Sequence, residues 1–452
     1  MGKGCVPMLL IHLSDIHFKA SEIGYPDDPN GGLRSDLLED VRHMRSAIGR
    51  PADYILISGD IAFSGQEIEY DFAYRWLEQE LCPAAGCPIE NVFVIPGNHD
   101  VDRRAAQAPV QQGARADLRR RTAGGVEGEL SRYLRDRLSA QVLFDPIENY
   151  NRFAAKFLCA IGPYTEPAGG ATGIMENISR PFATRDLRLN DGSVLRIWGF
   201  NSVLVSDAQD AEGQMLLDPA AAQIPVEAGV THVVMCHHPF NWLKNKAGFQ
   251  NRLEHAVKLQ LFGHEHTRRI EDNRRFLRIR AGALQPARDE PDWKPGYNWI
   301  DLLVSGVSDS RQLEVQVWVR QHEGSTFIPV PDPDRRDPWW MPLALPEWRV
   351  SDETKPVPPE PVPIDEQHVA DVRVPAMQSQ DVPVTIRSVT MKFFRLKEHE
   401  QRRVIVQLEL DDEADGDLKD YELVIAAVRR SEKQGRLTDL NEKIDAFIAT
   451  HG

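Results

Sequence analysis

A chain of 452 residues exceeds what one hydrophobic core usually supports, since single cores stop growing near ~250 to 300 residues; two or more units are expected. Hydrophobic residues at 42% and charged residues at 27% are ordinary for a soluble globular protein, and no stretch approaches the ~20 apolar residues of a membrane span. A net charge of −15 argues against extensive nucleic-acid binding, which rests on Lys and Arg, and favours a small or locally held phosphate substrate.

From the start to about residue 325, short apolar runs alternate with helical patterns: MLLIHL, DLLEDVRHMRSAI, YILI, a helix near Glu67 to Glu80, then NVFVI. This alternation predicts an α/β layered domain over residues 1–350. Later strand candidates (VLRIWGF, THVVMC, LQLF, FLRIRAG, YNWIDLLV and LEVQVWV) follow one another with few long helices between, so part of the sheet is expected to be antiparallel. Residues 101–190 carry helical signals, GELSRYLRDRL and PIENYNRFAAKFLCA, and read as an insertion placed to act as a lid. The arginines of RADLRRR read as a solvated face.

Thirteen of the 31 prolines fall between Pro329 and Pro383, which excludes regular helix or central strand and marks residues 351–386 as a semi-rigid linker. Trp339, Trp340 and Trp348, just before it, are expected to pack back onto the first domain. Residues 387–452 read as a small helical bundle, with FFRLKEHEQRRVIVQLEL as one helix, Leu418, Tyr421, Ile425 and Val428 on one face of another, and Gly435 as a stop. Cys5, Cys82, Cys87, Cys159 and Cys236 show neither disulfide nor zinc-ribbon spacing, and MGKGCVPMLLIHL lacks a secretory cleavage site, so a cytoplasmic location is expected.

Five polar clusters each follow an apolar strand: Asp15 and His17 after MLLIHL, Asp60 after YILIS, Asn98, His99 and Asp100 after NVFVIPG, His237 after THVVMC, and His264 and His266 after LQLFG. Carboxyl ends of strands in an α/β sheet meet along one edge, which predicts convergence on one pocket. Carboxylate, imidazole and amide groups without thiolate suit a two-metal site. Glycines before Asp60, Asn98 and His264 allow sharp turns, and two-residue spacing in Asp15-Ile16-His17 and His264-Glu265-His266 puts both polar side chains on one side of an extended segment.

DIH, GD, GNHD, CHHP and GHEH, in this order over most of residues 8–270, resemble the calcineurin-like metallophosphoesterase family. The resemblance implies a four-layer α/β/β/α sandwich with mixed sheets, followed here by a small C-terminal α-helical domain. It implies two divalent metal ions (Mn²⁺, Fe, Zn²⁺ or Co²⁺): one held by Asp15, His17, Asp60 and His266, the other by Asp60, Asn98, His237 and His264, with Asp60 bridging. A metal-bridging hydroxide would attack phosphorus in line, His99 would act as general acid, Asp100 would orient His99, and Asn98 and Arg103 would touch substrate.

The implied activity is a metal-dependent phosphoesterase acting on a phosphodiester, with a nucleotide as a candidate substrate; a nuclease of a bacterial defence system and a catalytically silent scaffold are the alternatives. His12, His43, His232, His255 and His322 read as core histidines instead. The C-terminal helices resemble the effector-associated adaptor domains of bacterial conflict and antiviral proteins, which implies a protein partner.

Overall fold

The computed structural model describes residues 6–163, 181–218, 223–266, 269–286, 293–348 and 384–451. Most of the expected linker, residues 351–383, lies outside them. The strands in chain order are β1 (Met8–Leu13), β2 (Tyr54–Ile57), β3 (Val92–Val94), β4 (Phe182–Arg188), β5 (Val194–Phe200), β6 (Val230–Cys236), β7 (Val257–Phe262), β8 (Arg269–Asp272), β9 (Leu277–Arg280), β10 (Gly296–Ser305), β11 (Gln312–Glu323), β12 (Thr326–Pro329) and β13 (Trp339–Ala344).

They form two mixed sheets. The first runs β12-β11-β10-β1-β2-β3 with β13 on β11; the second runs β4-β5-β6-β7-β9-β8. β1, β2 and β3 are parallel, as are β5, β6, β7 and β9, whereas β10 to β13 join by antiparallel pairing. Helical segments precede the parallel strands β2, β3 and β7, whereas short turns link β10 to β11 and β11 to β12. All six residues of β1 are buried, as expected for a central strand covered on both faces. One apolar cluster spans both sheets, and at Gly199 of β5 an added Cβ would lie 2.6 Å from Ile95 Cγ2, just after β3. The sheets therefore press face to face, and the result is the mixed α/β fold that the resemblance implied.

The helices are α1 (Gly31–Ile48), α2 (Glu67–Trp76), α3 (Cys82–Ala85), α4 (Arg103–Ala106), α5 (Pro109–Arg120), α6 (Ala123–Arg135), α7 (Arg137–Phe144), α8 (Glu148–Ala155), α9 (Gln250–Ala256), α10 (Ile386–Phe393), α11 (Glu398–Gln407), α12 (Asp420–Lys433) and α13 (Leu437–His451). Among the described residues of 101–190, helix extends only as far as α8; β4 occupies 182–188, where Phe182, Thr184, Asp186 and Arg188 alternate with the more deeply buried Ala183, Arg185 and Leu187. GELSRYLRDRL is split at Asp136, which leaves the helical region and caps α7 by accepting from Ser139 N–H. Trp339 is half-buried against the large core, and Trp348 packs on Gly229, but Trp340 stays 43% exposed on the outer side of β13.

Helices α10 to α13 bury their own core of Val389, Phe393, Val404, Val424, Val428, Leu440 and Ile444. The single long helix expected at FFRLKEHEQRRVIVQLEL is interrupted, because α10 ends at Phe393 and α11 begins at Glu398. Leu418 precedes α12 rather than lying on its face, while Gly435, at φ 68°, stops that helix as expected. Tyr421 and Ile425 pack on Ala155 of α8, and Arg395 pairs with Glu78 at 2.8 Å, so this bundle rests on the α2/α8 side of the larger unit. No helix among the described residues is long and apolar enough to cross a membrane.

Candidate metal centre

The five clusters meet where the two sheets face each other, the first three from the ends of β1, β2 and β3 and the last two from β6 and β7. Main-chain bonds lock the first loops together: Ile16 and His17 N–H donate to Asp60 O at 2.8 and 3.0 Å. The backbone is not extended at these residues. Asp15, His17, Asp60, His264 and His266 all have φ between 51° and 70°, a left-handed conformation that costs a non-glycine residue on the order of 1–2 kcal/mol. Left-handed turns, rather than strand alternation, aim Asp15 with His17 and His264 with His266 into one site. Ile16 is buried in the core, and Glu265 turns to Asn241 (2.9 Å) and Arg280.

Two glycines are required by what surrounds them. Gly59 has φ 97°, and a Cβ there would lie 2.5 Å from His237 Nδ1. A Cβ on Gly97 would lie 2.1 Å from Asp60 Oδ1.

Asp60 occupies the middle. Its Oδ2 lies 3.1 Å from His17 Nε2 and 3.4 Å from His237 Nε2, while Oδ1 accepts from His99 N–H at 2.8 Å. Asn98 Oδ1 lies 3.0 Å from both His237 Nε2 and His264 Nδ1. Asp15 Oδ2 accepts from His264 N–H at 3.1 Å; Oδ1, 3.4 Å from His266 Nε2, is buried without a hydrogen bond. Ligand-type atoms lie within 4.8 Å of one another in the sets Asp15, His17, His266 and Asp15, Asp60, His237. All seven expected ligands are thus brought together.

Two further sets share that spacing. His99 joins His17 and Asp60, and His238 joins His237 and His264. His238, absent from the sequence-based set, is buried with Nδ1 2.9 Å from Ser202 Oγ. The ring of Trp242 stands 4.0 Å from that of His264. CHHP shows that His238 is adjacent; no short motif marks Ser202 or Trp242.

The electrostatics ask for positive charge. Burial opposes ionisation of Asp60 and Asp15, yet the surrounding histidines outweigh it and hold both carboxyls below the usual carboxylate range. Burial opposes a proton on His237 too, but Asp60 and Asp15 raise it to about 9. In the metal-free protein that proton stands where cationic charge is wanted. Burial, then His237, pushes His264 down to about 3, leaving a neutral imidazole suited to ligation. An orphaned buried carboxylate oxygen with neutral imidazole and amide oxygen around it fits hard-to-borderline divalent cations.

Backbone carbonyls, rather than carboxylates, face the second ring nitrogens: Ser58 O lies 2.8 Å from His237 Nδ1, Gln285 O 3.3 Å from His17 Nδ1, and Phe63 O 2.8 Å from His99 Nδ1. The last contact corrects the role expected of Asp100. Its carboxylate does not reach the His99 ring; it accepts from the N–H groups of Gly97 (2.8 Å), Ile61 (3.1 Å) and Ala62 (2.9 Å) and from Tyr70 OH (2.9 Å). Burial and the neighbouring Asp60 push the Asp100 carboxyl up to about 7 against those donors, and cations beside Asp60 would remove the second cause.

Arg103 is exposed on the first turn of α4, close enough for its charge to work with burial in lowering the pKa of His99. His12 and His232 are core residues, bound to Ser58 and Trp198, and buried His322 meets Asp36 at 2.9 Å; His43 and His255 are instead exposed on helices.

The calcineurin-like phosphoesterase family matches residues 8–268, and the GTPase-associated adaptor domain matches residues 385–446. Comparison with curated proteins returns no match. Similar solved structures include Vacuolar Protein Sorting 29 from Cryptosporidium parvum, 12% identical with TM-score 0.31, covering 75% of this chain and 100% of that one. A putative 5′-nucleotidase from Staphylococcus aureus is 12% identical with TM-score 0.36, covering 73% and 56%. GAP50 of Plasmodium is 12% identical with TM-score 0.38, covering 76% and 90%. These structural likenesses are too low to carry an argument, whereas the family match extends over more than half the chain and includes every cluster. The chain belongs to the calcineurin-like phosphoesterases, a family of metal-dependent hydrolases of phosphate esters.

Proposed function

We propose that this chain is a dinuclear phosphodiesterase of the cytoplasm. Asp15, His17, Asp60 and His266 would hold one divalent cation, and Asp60, Asn98, His237 and His264 the other. The observation that carries this reading is the Asp60 carboxylate, whose one oxygen reaches His17 on one side and His237 on the other. When bound, the cations would neutralise phosphoryl oxygens and lower the pKa of water at the site. His99, half-buried, delivers a proton to the departing oxygen; Asn98 and exposed Arg103 contact the phosphate. Asp100 serves by fixing the loops that carry Asp60 and Asn98, rather than by touching His99.

Metal analysis of the purified protein, with hydrolysis of bis-p-nitrophenyl phosphate, cyclic nucleotides and single-stranded DNA under Mn²⁺, tests the reading. Two bound ions and diester turnover support it. Preference for DNA would make the chain a nuclease, and metal binding without turnover of any substrate would make it a silent scaffold.

The adaptor-domain match favours a second role. We propose that residues 385–446 recruit a protein partner while the site acts on its substrate. A co-purification in which the full-length chain retains the same partner as the segment-deleted chain would overturn this.

A further inference from the structure

Phe63 belongs to none of the five clusters, yet it meets His99 twice. Its carbonyl oxygen lies 2.8 Å from His99 Nδ1, and its ring lies 5.0 Å from the imidazole at an interplanar angle of 31°. Lys19 Nζ stands 4.5 Å from the centroid of the same phenyl ring, holding it in turn. The backbone of His99 is fixed separately, by its N–H to Asp60 Oδ1. A carbonyl only accepts, so Nδ1 must carry a proton. Nε2, across the ring, is left as the nitrogen for proton transfer.

From these contacts we propose that Phe63 is the positioning residue of His99: its carbonyl sets the tautomer, and its ring sets the imidazole plane. The proposal rests on the hydrolase reading with His99 as general acid. In that step the Nε2–H proton passes to the ester oxygen as the P–O bond breaks; the bonding pair stays on that oxygen. The Nδ1–H bond to Phe63 persists, and solvent returns a proton to Nε2.

Two measurements on the full-length chain test it. With Mn²⁺, bis(p-nitrophenyl), bis(p-chlorophenyl) and diphenyl phosphate form a series whose leaving groups need a proton increasingly. Phe63→Ala should lower kcat by less than about 10-fold on the first and by about 100-fold on the last, with KM little changed, and Phe63→Tyr should restore the wild-type pattern. Equal losses across the series would overturn the proposal. Without metal, ¹⁵N–¹H correlation of the histidine rings should show His99 as the Nδ1–H tautomer, assigned by its disappearance in His99→Gln, with the signal broadened in Phe63→Ala. An Nε2–H tautomer in the wild type, or an unchanged signal in the variant, overturns the positioning role. Wild-type protein with the Nδ1–H tautomer but no turnover of any ester overturns the hydrolase reading and the proton step, while supporting the contact itself.

Discussion

The Tyr70 hydroxyl donates to Asp100 Oδ1 at 2.9 Å, and both side chains are buried. Through the other bonds of Asp100 this pair buckles the turn after β2 to the turn after β3. Tyr70→Phe leaves a buried carboxylate short of one donor and should cost about 1–3 kcal/mol, read from urea denaturation of metal-free protein. Divalent-ion affinity should fall with it, because the same turns carry Asp60 and Asn98. An unchanged midpoint would show that the carboxylate is satisfied without Tyr70.

Under the dinuclear proposal, Asp60→Asn should reduce bound metal from two ions to at most one and weaken the remaining site by at least ~10-fold, since the Asp60 carboxylate reaches His17 on one side and His237 on the other. Elemental analysis after dialysis against a weak chelator checks it. Full retention of two ions would remove Asp60 from the bridging position.

Gly97→Ala and Gly113→Ala form a matched pair. A Cβ at Gly97 collides with Asp60, whereas one at Gly113, on α5, meets nothing within 4 Å. The first substitution should destabilise by about 1–3 kcal/mol and reduce metal content. The second should stabilise by about 0.5–1 kcal/mol, by removing glycine from a helix interior. Similar effects of both on the thermal midpoint would contradict the packing described.

His12 predicts a pH dependence. It is fully buried, with Nε2 2.9 Å from Ser58 Oγ and Nδ1 unpartnered. Burial, opposed by Asp15, holds its pKa down to about 3 from the ordinary 6.5. The folded state therefore keeps it neutral while the unfolded chain protonates below about 6.5. This contribution is fully present above that value and is lost as pH falls toward about 3, at up to ~1.4 kcal/mol per pH unit. Between pH 7 and pH 5, His12→Gln should lose up to ~2 kcal/mol less stability than the wild type. Parallel losses would mean that His12 does not drive the acid response.

The convergence of the five clusters was legible because their chemistry is confined to a few residue types, each placed just after an apolar run whose fate as a strand is hard to mistake. What the pattern concealed was how the backbone aims them. Two-residue spacing in DIH suggested extended chain, but Asp15 and His17 both adopt positive φ. Adjacency suggested that Asp100 holds His99, yet Asp100 turns to backbone N–H groups, and a carbonyl from Phe63 takes its place. Carbonyls and amides occur at every position, so no side-chain pattern reports which one is used. In the C-terminal bundle, periodicity continued through RLKE although the helix does not. The main-chain breaks there and at Asp136, and the pairing of β4 with β5, depend on caps and sheet contacts that lie beyond a local window.

The centre draws on both sheets, with Asp15, His17, Asp60 and Asn98 from one and His237, His264 and His266 from the other. A cation held by both works as a staple across the seam. Its binding energy would then also be cohesion between the two halves, and a chelator would act as a denaturant for that joint. At free metal 100 times the dissociation constant, the staple would add about 2.7 kcal/mol to unfolding. Heat resistance would follow the metal supply, so the melting temperature itself becomes a titration of the site.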